Sequence, residues 1–285
     1  MEQATCFRLV KLSIVLSVLL TAISTPASER TLNAVTLDYP PYEFLHNGEP
    51  RGIAIDLINE ATRRAHLNVE FEFLPWSRAV FKAEAGRADI LFNAGVNDAR
   101  KVWGRYGECV LILQSYYLFK RREEAFTVNS DFSNVKSKSI GIRLGYLYGS
   151  GSFRQAIDHN KFARVEYTKS TKQSVDMLLG KRMDMFVGDY MPVMSYIKRH
   201  GFEDQIDIVK LSSKPGENFQ VLTWPTYLLF NKETVPLEYV KKLDRAMAEM
   251  KEDGYFEAVY SHYDEGTFPY LVRFSPNRKE SSHSK

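Results

Sequence analysis

The sequence predicts an α/β protein of two similar lobes, each built on a doubly wound, mostly parallel sheet. Three observations carry this. Short apolar runs alternate with amphipathic helical stripes, the alternation pauses and restarts near residue 139, and a long helical stripe returns at the C-terminal end. Parallel neighbours need crossover helices, so a strand–helix–strand rhythm reads as a parallel sheet with helices on its faces. A chain of 285 residues has room for about two domains.

Composition narrows the class. With 44% hydrophobic and 26% charged residues the chain is neither disordered nor fibrous. Its 38 Lys and Arg against 35 Asp and Glu leave a formal net charge of +3, too small and too scattered for a nucleic-acid surface. Charged ligands would be met by individual residues. The N-terminal stretch has Arg8 and Lys11 ahead of an apolar run at 12–23, followed by small residues at 22–28. That run suits a cleaved secretory leader over 1–27 and is short for a membrane span; an uncleaved anchor is the alternative. Cys6 belongs to the leader and Cys109 remains alone, so no intramolecular disulfide is expected and stability must come from a core. The six His are scattered, without metal-ligand spacing, and no metal or other cofactor is expected.

Along the chain, LNAVTL at 32–37 reads as the first strand, ended by Pro40 and Pro41. Asn47 and Gly48 form a hairpin-type turn. From Ile55, apolar residues at 57, 58, 61 and 65 mark a helix. Residues 69–73 alternate as a second strand, Ser77 is placed to cap a helix that stops at Gly86, and 90–92 is a third strand. The run at 110–119 is long enough to leave one lobe for the next. The rhythm then restarts with a strand at 140–142, a glycine-rich segment at 145–151 and a helix opened by Ser152. Ser170 and Gln173 have capping-box spacing for the helix carrying Val175 and Leu178. AGRADILFNAG at 85–95 is echoed by LGKRMDMFVGD at 179–189, which suggests two lobes of one design. A strand at 227–230 and a helix with Leu237, Val240, Leu243, Met247 and Met250 would return to the first lobe. That lobe then comprises 30–118 and 229–270, the second lobe 119–228, and residues 276–285 form a disordered polar tail.

Several segments in register carry a resemblance: YPPYEF at 39–44, RGIAIDLINEA at 51–61, GRADILFNAGVNDARK at 86–101, GKRMDMFVGD at 180–189 and AMAEMKEDGYFEAVYSHY at 246–263. Together they resemble the periplasmic solute-binding proteins of family 3, the polar amino-acid type that serves ABC importers. LPWSRAVF at 74–81 is similar to a less well-defined branch with a PWxR motif. The resemblance implies a type II periplasmic binding fold, two α/β lobes joined by a two-stranded hinge that closes on a small ligand. It implies a non-enzymatic monomer with an ABC permease as partner and an amino acid or related carboxylate as ligand. The hinge motion would fall at 117–119 and 223–228.

Arg100 matches the family arginine that forks onto a ligand carboxylate, a contact for which the planar guanidinium is suited; a surface arginine at a helix start is the other reading. Asp189 matches the acidic residue that meets the ligand α-amino group, or it caps the helix that follows. Tyr39 and Trp76 match the aromatics that sandwich the ligand, with Tyr42 as a third candidate; core packing is the alternative for all three. Asn93 and Gly95 stand where many relatives carry hydroxyl residues, and Asn97 replaces a usual Thr. Gly145 and Tyr146 begin a loop that replaces a Gly-Thr-Thr type turn, its amides able to face an anion. Arg78 and Arg143 either face the cleft, adding cations for a second acidic group, or sit on solvated faces. Two further classes share the fold: a stand-alone sensory binding protein, and a dehydratase-like enzyme for which Glu43, Glu217 and Asp189 are the available carboxylates.

Overall fold

The computed structural model describes residues 30–264 apart from Leu147; the expected leader and tail lie outside the described residues. The first elements are β1 (Thr31–Thr36), the hairpin β2 (Phe44–His46) and β3 (Glu49–Arg51), α1 (Ile53–Ala65), β4 (Asn68–Phe73), α2 (Trp76–Glu84), β5 (Ile90–Gly95), α3 (Asp98–Trp103) and β6 (Gly104–Tyr106). β7 (Ile112–Arg121) leads to β8 (Thr127–Val128), β9 (Ser139–Arg143), α4 (Ser152–Asp158), β10 (Arg164–Thr168), α5 (Thr171–Leu179), β11 (Met185–Asp189), α6 (Tyr190–His200), β12 (Ile206–Ile208), β13 (Lys210–Leu211) and β14 (Lys214–Asn218). The chain returns through β15 (Gln220–Asn231) to α7 (Leu237–Glu252) and α8 (Tyr255–Asp264).

One sheet runs through both lobes in the order β10-β9-β11-β7-β15-β5-β1-β4. Its ends are parallel, β5-β1-β4 in the first lobe and β10-β9-β11 in the second. Between them β7 and β15 are antiparallel to each other and to the strands they flank. β7 pairs with β11 over residues 116–120, and β15 pairs with β5 from Thr226 to Phe230. The stretch in which the two strands have only each other is therefore 113–115 against 223–225. The expected residues 117–119 are already ladder members of the second lobe, so the two-stranded crossing begins earlier on β7 than the sequence suggests. Pro225 is tolerated here because it faces β7 on one side and no strand on the other, so its missing N–H breaks no central ladder.

Each lobe buries both faces of its sheet, which is why its strands read as apolar runs. In the first lobe Leu32, Ala34, Ile90 and Phe92 pack against α1, α7 and α8, while Val35, Leu91 and Ala94 pack against Ala79 and Ala83 of α2. In the second, Ile140, Ile142, Met185 and Val187 meet Phe153 and Ala156 of α4, while Phe119 and Phe186 meet Val175, Leu178, Val193 and Ile197 of α5 and α6. The internal echo has a physical basis. Asp89, just before β5, accepts the Asn33 N–H at 3.0 Å; Asp184, just before β11, accepts the Ser139 N–H at 2.7 Å. In both lobes an aspartate pins the third strand to the start of the first. Asn47 and Gly48 have φ of 53° and 81°, as a two-residue hairpin loop requires. Ser170 accepts the Gln173 N–H at 3.0 Å, completing the cap the sequence signalled.

The helix at 237–252 belongs to the core of the first lobe, with Leu243 1% exposed. Leu243→Ala should lower the unfolding free energy in urea by about 2–5 kcal/mol. Val102→Ala, at a site 79% exposed, should change it by less than about 0.5 kcal/mol. Equal effects from the two would break the assignment of α7 to the core.

Candidate functional site

The crossing strands and the strand ends of both lobes border a cleft. β5 brings Asn93 and Gly95 to the wall, α2 brings Trp76, and the loop after β1 brings Tyr39. Gly145 and Tyr146 close it from the second lobe, and Gln114, Tyr116, Trp224 and Thr226 form its floor from β7 and β15.

Arg100 is the charged side chain of this wall among the described residues. It sits on α3, whose start is fixed by Asn97: the Asn97 Oδ1 accepts the Ala99 N–H at 2.8 Å. Arg100 is 9% exposed, with Nη1 donating to the Gly95 carbonyl at 3.0 Å and the guanidinium 5.3 Å from the Trp76 ring. The ring holds the guanidinium by cation–π attraction and so aims it before any ligand arrives. Asn97, which replaces a usual Thr, is the cap at the start of the helix that carries the arginine.

Asn93 has a φ of 54°, a left-handed conformation that Asn accepts more readily than most residues, beside the irregularity in the β5–β15 ladder. Its amide is committed to the protein. Nδ2 donates to Glu43 at 2.7 Å, and Oδ1 accepts from Thr226 at 2.7 Å and from Gln114 at 3.2 Å. The Gln114 Oε1 in turn accepts the Tyr116 hydroxyl at 2.8 Å. Gly95 is required by packing: a Cβ there would lie 1.8 Å from the Trp224 Nε1. Trp224 also approaches Gly149 of the second lobe, where a Cβ would stand 3.3 Å from its ring.

Asp189 is placed apart from Arg100. It borders a smaller cavity of about 270 Å³ with Arg143 and Tyr148, and Tyr39, Tyr116 and Tyr146 line both spaces. Its Oδ1 accepts the Tyr42 hydroxyl at 3.2 Å and the Ser115 N–H at 3.3 Å, while Oδ2 has no partner. It stands at the start of α6, but the amides of Tyr190 and Met191 face it without reaching hydrogen-bond geometry. Burial pushes its carboxyl up to about 8, and the nearby donors only partly offset the lost hydration. Glu43 is raised well above the usual carboxylate range for the same reason, with Asn93 and Thr36 pulling the other way.

Tyr42 lies in the first-lobe core, 1% exposed, and its contact with Asp189 spans the two lobes. Tyr39 and Tyr146 meet edge to face across the same gap at 6.4 Å. Arg143 donates to the Thr171 hydroxyl at 3.1 Å and stands over the Tyr39 and Tyr146 rings. Arg78 does not reach the cleft. It is exposed, because Ala79 and Ala83 turn the buried face of α2 inward and Arg78 lies about 100° round the helix from Ala79. Glu217 is also exposed, paired with Lys214 at 2.9 Å. Gln114, Tyr116, Trp224 and Thr226 escape the sequence reading, because only the register of two strands about a hundred residues apart brings them to the wall.

Two outcomes follow from this geometry. Gly95→Ala should displace Trp224 at a cost of about 1–3 kcal/mol and shift the tryptophan emission; an unchanged spectrum would contradict the close approach. Asp189 binds its proton more tightly folded than unfolded, where its value is near 3.8. Its contribution is full below the unfolded carboxyl range and is lost as pH rises through about 8. Thermal unfolding midpoints should therefore fall as the pH is raised across that window, and Asp189→Asn should flatten the fall. An equally steep fall in the variant would remove Asp189 as its source.

Comparison with known proteins agrees with this architecture. The chain is 23% identical over 248 residues to a putative amino-acid ABC transporter-binding protein, PatH, of Vibrio harveyi, covering 86% of this chain and 92% of the other. It is 25% identical over 218 residues to the L-cystine-binding protein TcyA of Bacillus subtilis, covering 76% and 74% respectively. An ancestral arginine-binding protein bound to arginine superposes with a TM-score of 0.67 at 21% identity, over 83% of this chain and 99% of that one. Residues 33–265 match the model of one family, and the chain belongs to it: the bacterial extracellular solute-binding proteins, family 3.

Proposed function

We propose that the protein is a periplasmic receptor that closes its two lobes on a small amino acid or related carboxylate and presents it to an ABC importer. The observation that carries this reading is the buried Arg100 guanidinium, aimed by Trp76 into a cleft whose walls come from both lobes. A planar donor fork in a sheltered site favours a carboxylate over a neutral group, and closure removes water that would weaken the pair. Motion about β7 and β15 would open the gap between Tyr39 and Tyr146 and admit the ligand. Family membership and relatives named for ABC transporters support the importer as partner. The buried carboxylates Glu43 and Asp189 are bound to protein groups, an arrangement that suits binding rather than turnover.

Isothermal titration of the mature protein against pooled amino acids and carboxylates should reveal a saturable ligand. Arg100→Ala should weaken it about a hundredfold or more, as loss of a buried charge-assisted pair does. Unchanged affinity would remove the carboxylate assignment, and conversion of the ligand to a product would replace the receptor by an enzyme.

A further inference from the structure

The groups that line the cleft define what the ligand cannot carry. Arg100 supplies a positive charge, and the remaining surface is dominated by Tyr39, Trp76, Tyr116, Tyr146 and Trp224. Among the described residues no carboxylate lines this cavity. An α-ammonium group brings three N–H donors and a full charge, and needs acceptors close to the carboxylate that Arg100 holds. Three of the acceptors at hand are already used. The Gly95 carbonyl takes both Arg100 at 3.0 Å and the Tyr106 hydroxyl at 2.9 Å. The Asn93 Oδ1 takes Thr226 and Gln114, and the Gln114 Oε1 takes Tyr116.

The acid that would meet such an ammonium stands elsewhere. Asp189 lies in the neighbouring cavity, behind the tyrosines that the two spaces share. Its Oδ1 is held by Tyr42, which is packed in the first-lobe core and is not free to swing aside. Burial also favours the protonated, neutral form of Asp189, which attracts an ammonium poorly. Stacked and edge-on rings, by contrast, suit a flat body.

We propose that the cleft selects a monoanionic carboxylate with a flat, unsaturated or aromatic body and no α-ammonium group, held by Arg100 and stacked among Trp76, Trp224 and Tyr39. The inference rests on the reading of Arg100 as the carboxylate partner and narrows the ligand class that the receptor takes.

Three probes that share one ring test the ammonium, indole-3-acetate, tryptophan and tryptamine, with indole-3-propionate as the chain-length match to tryptophan, measured by titration calorimetry on the mature protein and on Arg100→Ala. Indole-3-acetate should bind at least about tenfold more tightly than tryptophan, because an unpaired buried charge is costly, and tryptamine should not bind. The preference should vanish in Arg100→Ala, whose fold is checked by its unfolding midpoint. Tryptophan binding more tightly than indole-3-acetate, with loss in the Arg100 variant, would overturn the inference and leave the carboxylate receptor standing. Tryptamine binding as tightly as indole-3-acetate, or affinities unaltered by Arg100→Ala, would overturn both. Binding by none of the three would overturn the aromatic body, and the proposal with it.

Discussion

The ladder between β7 and β15 is the constraint on which the rest of the molecule depends. β7 is an interior strand of the second lobe, between β11 and β12, and β15 of the first, between β5 and β6, and the two pair with each other, so the lobes share hydrogen bonds as well as a linker. Between the lobes the strands have only each other. A two-stranded ribbon twists far more easily than a sheet whose strands are paired on both sides, so flexibility is concentrated where the lobes meet. The same residues that bridge the lobes, Gln114, Tyr116, Trp224 and Thr226, also form the floor of the cleft. Any rotation of one lobe against the other therefore changes the shape of the cleft directly.

Around that floor the charges are sorted by access to solvent. Arg100 faces the cleft, steadied by a ring and one carbonyl, and keeps further donors in hand. Glu43 and Asp189 are enclosed by protein groups at the seam of the lobes, each with one oxygen lacking a partner. What faces the cleft among the described residues is a single cation in an aromatic setting.

Much of the architecture was legible in the chain. The alternation of apolar runs and helical stripes gave β1, α1, β4, α2 and β5 in order, because each rests on local periodicity and on signals such as Asn47-Gly48 or Ser170 with Gln173. Likewise Arg100, Tyr39, Trp76, Asn93, Gly95, Gly145 and Tyr146, singled out from motifs, line one cavity. The misses share a cause. The pairing of β7 with β15 joins residues distant in sequence, and nothing local reveals its register or why Pro225 sits comfortably within it. Arg78 and Arg100 look alike as arginines near helix starts, and only the helix rotation separates them. Asp189 sits at the expected strand end, yet Tyr42 reaches it from the other lobe, a contact across 147 positions that no motif encodes.

The discontinuity of the first lobe also governs the order in which the chain can fold. β5 stays unpaired on one edge until β15 arrives, and the face formed by Leu32, Ala34 and Phe92 stays partly bare until α7 covers it. The second lobe draws its strands from one continuous stretch and meets no such delay. A chain emerging from its N-terminus would therefore complete the inserted lobe before the one that began first, while the earliest strands wait with apolar surface uncovered.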